Sequence, residues 1–167
     1  MAKQSYVVND QIKHQIKDTL EHKKIVMDSC YKMAEYLFNE GKNELGVEII
    51  NRAIVHDNSK FSKEELYALS SISSAKALTD PNVLLSNDQQ KLVEMHWRNN
   101  RHHPEYFSAI TNMSEIDIIE MCCDWHARSV QFGTNLIEFA KVRQENRFHF
   151  PKEMFNKILF YCNILIG

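Results

Sequence analysis

The stretch Ile118-Ile-Glu-Met-Cys-Cys-Asp124-Trp125 decides the fold, because it is an apolar helical segment that contains a carboxylate. Its composition predicts that it faces the core, where an unpaired carboxylate would cost on the order of several kcal/mol. A divalent cation bound to Asp124 would remove that cost. The stretch therefore predicts an internal metal site, and an ion pair with Arg128, one turn further along the helix, is the alternative explanation.

Helix signals on both sides of this stretch predict an all-α protein. Ser114-Glu-Ile-Asp117 is typical of a capping box, and Gly133 is typical of a helix end. With only 4 glycines and 3 prolines in 167 residues, the chain lacks the turns that a many-stranded sheet needs. We predict one domain, residues 1–167, folded as a bundle of about six or seven helices. The predicted helices cover about residues 10–38, 43–55, 62–69, 86–99, 114–133, 134–146 and 151–165.

Two further features of the bundle follow from local sequence. Apolar residues at helical spacing predict the buried faces, with Ile12 and Leu20 in the first helix and Val47, Ile50 and Ile54 in the second. A serine-rich stretch followed by an Asp-Pro pair interrupts the pattern over residues 70–85. We predict a short helix plus loop there, which is the expected position of a mobile lid.

A second chemical signal lies where an apolar run ends in His56 and Asp57, followed by Lys60. Two metal-ligand side chains are adjacent at a predicted helix end, and the remaining candidate ligands are His22, His96, His102 and His103. Since Pro104 disfavours helix at the residue before it, the tandem histidines are predicted to lie on a turn. A mixed set of imidazoles and carboxylates suits Mn, Fe, Zn or Co better than Ca, with Mg also compatible. We predict one or two divalent transition metals.

The order of these residues resembles the H…HD…D signature of the HD-domain metal-dependent phosphohydrolases, an all-helical superfamily that holds metal between helices. The matching residues are His22, the His56-Asp57 pair and Asp124, and His56-Asp-Asn-Ser-Lys60 is similar to the HD-x-x-K motif of that superfamily. The resemblance covers about residues 20–130. The chain also resembles an uncharacterised family of small HD-like proteins in phages and bacteria.

The other histidines resemble the additional ligands of members that hold two or more metals, although His96 is closer to His102-His103 than is usual there. No Gly-Tyr-Pro segment follows the tandem pair, so specificity for cyclic dinucleotides is not implied. Which of His102 and His103 is a ligand stays open.

The chemistry of these side chains suggests a role for each residue of the candidate site. Asp57 would bridge two metals, with His22, His56 and Asp124 on the first. His96 and His102 or His103 would complete the second. A water activated by the metals would attack the phosphorus of a nucleotide or other small phosphorylated metabolite. The remaining roles go to Lys60, which would neutralise charge on the phosphate, to Arg101 and Arg128 as substrate-binding cations, and to Glu105 or Glu120 as partners of a ligand histidine.

Each candidate residue also has an ordinary structural explanation when taken singly. A helical histidine is more often a surface or satisfied core residue than a ligand, and Asp57 could be only a turn residue. His14 lies on a polar face, His126 points about 200° around the helix from Asp124, and His149 has no identifiable partner. These last three histidines are not predicted as ligands.

Composition limits the other function classes. The net charge of −2 gives no basic surface for nucleic acid, and no apolar run approaches the roughly 18 residues of a membrane span. The first residues lack an apolar signal core, and the four cysteines lie in apolar helical patterns, so we expect a cytoplasmic protein with buried, reduced thiols. The expected partner is a small phosphorylated substrate, and a homodimer is left open.

Two other functions fit the same residues. Some HD-fold proteins with added histidines perform oxygen chemistry at two irons, so a di-iron oxygenase is one alternative. A metal-binding module without turnover is the other. Metal identity and dependence on O2 would separate the oxygenase from the hydrolase.

Overall fold

The computed structural model describes residues 8–72 and 86–167, and within these ranges every regular element is helical, as predicted. The α-helices are α1 (Asp10–Asn39), α2 (Asn43–Val55), α3 (Lys63–Ser70), α4 (Asn87–Asn99), α5 (Glu115–Phe132), α6 (Leu136–Arg143) and α7 (Lys152–Ile166). Short 3₁₀ turns cover Asn58–Phe61, Pro104–Tyr106 and Ile110–Asn112, and a π-helical turn covers Gln144–Phe148. Most of the predicted lid, residues 73–85, lies outside the described residues.

The central element is α5, which carries the stretch that decides the fold. Every residue from 116 to 125 is buried, and α1, α2, α6 and α7 pack around the helix. The predicted capping box of Ser114 and Asp117 starts α5, and Gly133, with φ of 63°, ends it. Asp124 is therefore held on a rigid helix inside the main core.

Helices α1 and α2 form an antiparallel hairpin, and here the predicted buried face was wrong for two of its three residues, since only Ile50 packs against the core, partly buried. Val47 and Ile54 are 52% and 56% exposed, whereas Gly46, Ile49 and Ala53 are buried. The close approach at Gly46 explains the difference, since an added Cβ there would lie 2.5 Å from the ring of Phe38 on α1. The small residues of α2 therefore pack close to α1, and Val47 and Ile54 face solvent.

The other helix predictions were close to the observed bounds. The prediction that Leu20 is buried was wrong, since its side chain is 54% exposed. The sixth helix is shorter than predicted because Asn135 caps its start and the chain widens into the π-helical turn after Arg143. All four cysteines are free and buried, as predicted. No helix in the described part of the chain is both long and apolar enough to cross a membrane.

A smaller apolar cluster lies beside the main core. Leu69 and Ile72 near α3 pack with Val93 of α4, and Trp97 covers them. Helix α3 contacts α1 and α4, and α4 contacts the 3₁₀ turn that follows the tandem histidines. This cluster supports the part of the chain that brings His96, His102 and His103 toward α5.

Candidate metal centre

Local backbone geometry explains why His56 and Asp57 both point inward. Helix α2 ends at Val55, and Asp57 adopts a left-handed conformation with φ of 55° and ψ of 16°. Aspartate tolerates this region better than most residues, and it is a common way to end a helix. The turn leaves both side chains buried at the end of α2.

Four residues from three segments form what we call the core set: His22 of α1, His56 and Asp57 after α2, and Asp124 of α5. His22 Nε2 lies 2.8 Å from Asp124 Oδ1 and 3.8 Å from Asp57 Oδ2. His56 Nε2 lies 3.7 Å from each of the same two oxygens. Asp124 and the His56-Asp57 pair are thus close enough to bind the same metal ion.

Three histidines form what we call the turn set: His96 of α4 and the tandem pair His102 and His103. His96 Nε2 and His102 Nε2 lie 3.4 Å and 3.5 Å from the other oxygen of Asp57, Oδ1. His103 Nε2 lies 3.2 Å from His96 Nε2. Both histidines of the tandem pair therefore point into the centre.

These atoms could hold a metal ion. Ligand atoms of Asp57, His96, His102 and His103 all lie within 4.8 Å of one another, as do those of His22, His56 and Asp57. Within the described residues, four buried side-chain atoms have no hydrogen-bond partner, and three of them belong to the centre: His56 Nε2, Asp57 Oδ1 and His102 Nε2. The fourth is Glu105 Oε2. An unpartnered buried polar atom is costly, so a bound cation fits this arrangement.

Four histidines of the centre have a partner on Nδ1, the ring nitrogen that points away from the candidate metal position. His22 Nδ1 lies 2.9 Å from Gln131 Oε1, and His96 Nδ1 lies 2.8 Å from Glu65 Oε2. Glu120 Oε1 lies 3.0 Å from His56 Nδ1 and 3.4 Å from His102 Nδ1. Such contacts fix the ring orientation and leave Nε2 free to bind a metal.

The sequence identified only part of this outer layer. Glu120 was one of two predicted partners, but the other, Glu105, pairs with Arg147 instead. Glu65 and Gln131 were missed, since neither is near its histidine in sequence. Glu65 carried one signal: it is the fourth residue of the predicted capping box at Ser62, yet its side chain is buried and accepts hydrogen bonds from Ser59 and Asn99.

A chain of ion pairs around the buried Asp117, which we call the Asp117 network, supports Glu120 from behind. Arg52 donates to Asp117 Oδ1 at 2.7 Å and to Glu120 Oε2 at 3.1 Å. Arg101 donates to both oxygens of Asp117, at 3.0 and 2.9 Å. Since Arg101 directly precedes the tandem histidines, the network ties their turn to α2 and α5.

The charges of the centre are strongly coupled. Burial and the nearby Arg128 guanidinium lower the pKa of His22 to about 4. Burial would also lower the pKa of His56, but the surrounding carboxylates, Asp57 foremost, outweigh it and raise that pKa to about 10. Burial opposes ionisation of Asp57 and Asp124, yet the pKa of both carboxyls is held well below its usual range, by the Lys60 ammonium and neighbouring imidazoles at Asp57 and by imidazoles at Asp124. The centre therefore concentrates negative charge that a proton on His56 or a bound cation balances.

A small cavity of about 80 Å³ adjoins the centre, and two of the three predicted substrate-binding cations line it. Lys60 is 5% exposed and donates to Asp57 Oδ2 at 2.6 Å, and it lines the cavity with Arg128. Arg128 donates to Gln131 Oε1 at 3.1 Å, and no ion pair with Asp124 is found among the described residues. The structure does not bring Arg101 to the cavity, because that side chain is engaged by Asp117.

Three histidines lie outside the centre, in agreement with the sequence analysis. His126 Nδ1 lies 2.8 Å from the Ser29 hydroxyl, and His14 and His149 are exposed. Tyr106 and Phe107, which follow the tandem histidines in sequence, both contact the Arg101 guanidinium.

Comparison with known proteins gives a family and no activity. A family model described as a family of unknown function, DUF5662, matches residues 11–162. No curated protein and no solved structure matches the chain. Because the matched region includes α1 through most of α7 and every residue of the candidate centre, the chain belongs to the DUF5662 family.

Proposed function

We propose that the protein is a metal-dependent phosphohydrolase of small phosphorylated molecules, with an HD-like helical domain around the metal centre. The observation that carries the proposal is the placement of the imidazoles about Asp57. Nε2 atoms of the core set lie near Oδ2, and two from the turn set lie near Oδ1. A carboxylate with a separate group of nitrogen donors on each oxygen suits two cations.

The donor set favours transition metals. Neutral imidazoles add lone pairs without adding charge, and carboxylates from Asp57 and Asp124 supply the negative charge, a mixture that suits Mn, Fe, Zn or Co. When bound, such cations polarise phosphoryl oxygens and bring the pKa of water down toward about 7. Glu120, Glu65 and Gln131 would keep the rings of the ligand histidines in the binding orientation.

Two cations of the chain would act on the phosphoryl group directly. The Lys60 ammonium lies against Asp57 and on the cavity wall, so it would stabilise negative charge that grows on the phosphoryl oxygens. The Arg128 guanidinium lies one turn after Asp124, and its hydrogen bond within the described residues goes to the neutral amide of Gln131. No carboxylate found there cancels the charge of Arg128, which leaves it for an anionic substrate.

Elemental analysis and a phosphate-release assay test the proposal. Protein purified without chelator should contain one or two equivalents of Mn, Fe, Zn or Co and should release phosphate from monoesters or diesters. His56→Ala should lose metal and activity, whereas His14→Ala, which changes an exposed histidine of α1, should retain both. Unchanged metal content in His56→Ala would contradict the assignment.

The same measurements separate the main rival. Two equivalents of iron together with O2 consumption, and no phosphate release from any ester, would indicate a di-iron oxygenase. Metal binding without turnover would indicate a binding module. Phosphate release with Mn in the absence of O2 is the result that the hydrolase proposal requires.

A further inference from the structure

The cavity beside the metal centre has a second basic wall. Besides Lys60 and Arg128, its lining includes Arg143 at the end of α6 and Arg147 in the π-helical turn. Such wide turns occur often at functional sites. This one is held in place by Gln144, whose side chain bonds both the N–H and the carbonyl of Phe150.

Both arginines of this wall are held against aromatic rings. The Arg143 guanidinium lies 4.8 Å from the centre of the Phe139 ring. The Arg147 guanidinium lies 4.3 Å from the centre of the Trp97 ring and forms an ion pair with Glu105. The ring contacts restrict both long side chains without removing their charge. Glu105 offsets the charge of Arg147, so the two arginines and Glu105 together leave this wall with a net positive charge.

Charge and lining chemistry indicate what this wall would bind. The described lining has four cationic side chains, Lys60 and the three arginines, against three carboxylates, and two of those carboxylates, Asp57 and Asp124, belong to the metal centre. No serine, threonine, asparagine, glutamine or tyrosine side chain is among the described lining residues. A nucleobase or sugar is usually oriented by a few such polar groups, whereas a carboxylate or phosphate is well matched by guanidinium.

We propose that Arg143 and Arg147 form a subsite for a second anionic group of the substrate. The substrate would be a compact organic phosphate that also bears a carboxylate or another phosphate, instead of a nucleoside monophosphate. This inference rests on the proposed function for the placement of the first phosphoryl group at the metal centre. It adds a specificity determinant that lies on α6 and the π-helical turn, outside the region that resembles HD domains.

Binding of unreactive phosphonates to the manganese-loaded protein tests the subsite separately from catalysis. The probes are methylphosphonate, with one anionic group, 3-phosphonopropionate, with a second, and a nucleoside 5′-phosphonate. Calorimetry should give a Kd for 3-phosphonopropionate about tenfold lower than that for methylphosphonate. The double variant Arg143→Met/Arg147→Met should abolish this preference and leave the Kd of methylphosphonate unchanged.

Two further variants control for structural effects. Arg143→Lys/Arg147→Lys keeps the charges and should keep part of the preference, and Arg98→Met, at an exposed position of α4, should keep all of it. Equal affinities in the natural protein, a preference that survives in the methionine variant, tightest binding of the nucleoside phosphonate, or no binding of any probe would overturn the inference. If the preference is found but no phosphate ester is hydrolysed, the subsite stands and the proposed function fails.

Discussion

The core set and the turn set are supported by different parts of the molecule. The core set lies on α1, on α5 and at the end of α2, which pack together in the main apolar core. The turn set lies on α4 and a turn, supported by the small cluster of Leu69, Ile72 and Val93 and by the Asp117 network. Packing in the main core therefore preorganises one half of the centre, whereas a small apolar cluster together with ionic contacts holds the other half. The two halves should respond differently to mutation.

The largest effect is expected where the two sets meet, at Asp57. Asp57→Asn removes the charge that both sets share, so we expect loss of all bound metal and of at least about a thousandfold in kcat/KM. Elemental analysis and phosphate release measure this, with Asp28→Asn on the exposed face of α1 as the control. A variant that still held one equivalent of metal would show that the halves are independent sites without a shared ligand.

Histidine removal from each half sharpens the comparison. His22→Ala and His103→Ala should each lower the metal content by one equivalent. In the metal-free protein, however, only His22→Ala should be strongly destabilising, by about 2–3 kcal/mol, because it opens a cavity in the main core. His103→Ala should lower the free energy of unfolding by less than about 1 kcal/mol, since the His103 side chain is only partly buried. Urea unfolding of both variants checks the difference, and equal losses would contradict it.

Substitution of the carboxylates behind the histidines should have a smaller and more selective effect on metal affinity. Glu120 lies near both His56 and His102, whereas Glu65 lies near His96 alone. Glu120→Gln should therefore weaken both equivalents of metal by about 10–100-fold, and Glu65→Gln should weaken only the second. Competition with a chelator measures the two affinities. If the two variants weaken the two metal affinities in the same way, the proposed difference between Glu120 and Glu65 is contradicted.

Sequence reasoning was most successful where structure is local. Ser62, Ser86 and Ser114 mark helix starts because each hydroxyl accepts a hydrogen bond from a backbone N–H three residues on or takes part in a capping box, a relation within one turn. The candidate ligands could be named because adjacent donor residues and the Asp124 segment are unusual in sequence, and the family resemblance supplied their order.

What the sequence could not supply depends on contacts between distant segments. Both faces of α2 carry aliphatic residues, and only the packing of Gly46 under Phe38 determines which face is buried. The partner of His22 is 109 residues away in Gln131, and no spacing rule connects them. The position of Arg101 next to the histidines predicted a substrate-binding residue. In the fold, its guanidinium instead donates hydrogen bonds to Asp117. Each of these contacts depends on how distant segments pack together, so no single segment of the sequence predicts it.

The mildest test of the comparison is Asp117→Asn, which loosens the support of the turn set without touching a candidate ligand. Burial opposes ionisation of Asp117, but hydrogen bonds from Arg101, Ser114 and Arg52 lower its pKa to about 2. Removal of the charge should cost on the order of 2 kcal/mol, less than a fully buried pair, because Arg101 is half-exposed. It should reduce the metal content of the turn set more than that of the core set.

The pH dependence of stability provides a readout that a general packing defect would not change. A carboxyl whose pKa is lowered by folding stabilises the protein above its unfolded pKa, about 3.9, and this contribution disappears as the pH falls toward 2. In the metal-free protein, the difference in Tm between the natural chain and Asp117→Asn should therefore be full at pH 6 and shrink steadily below pH 4. A difference that stays constant down to pH 2.5 would mean that the variant loses packing or hydrogen bonds that do not depend on the charge of Asp117, and it would contradict ionic support of the turn set by this residue.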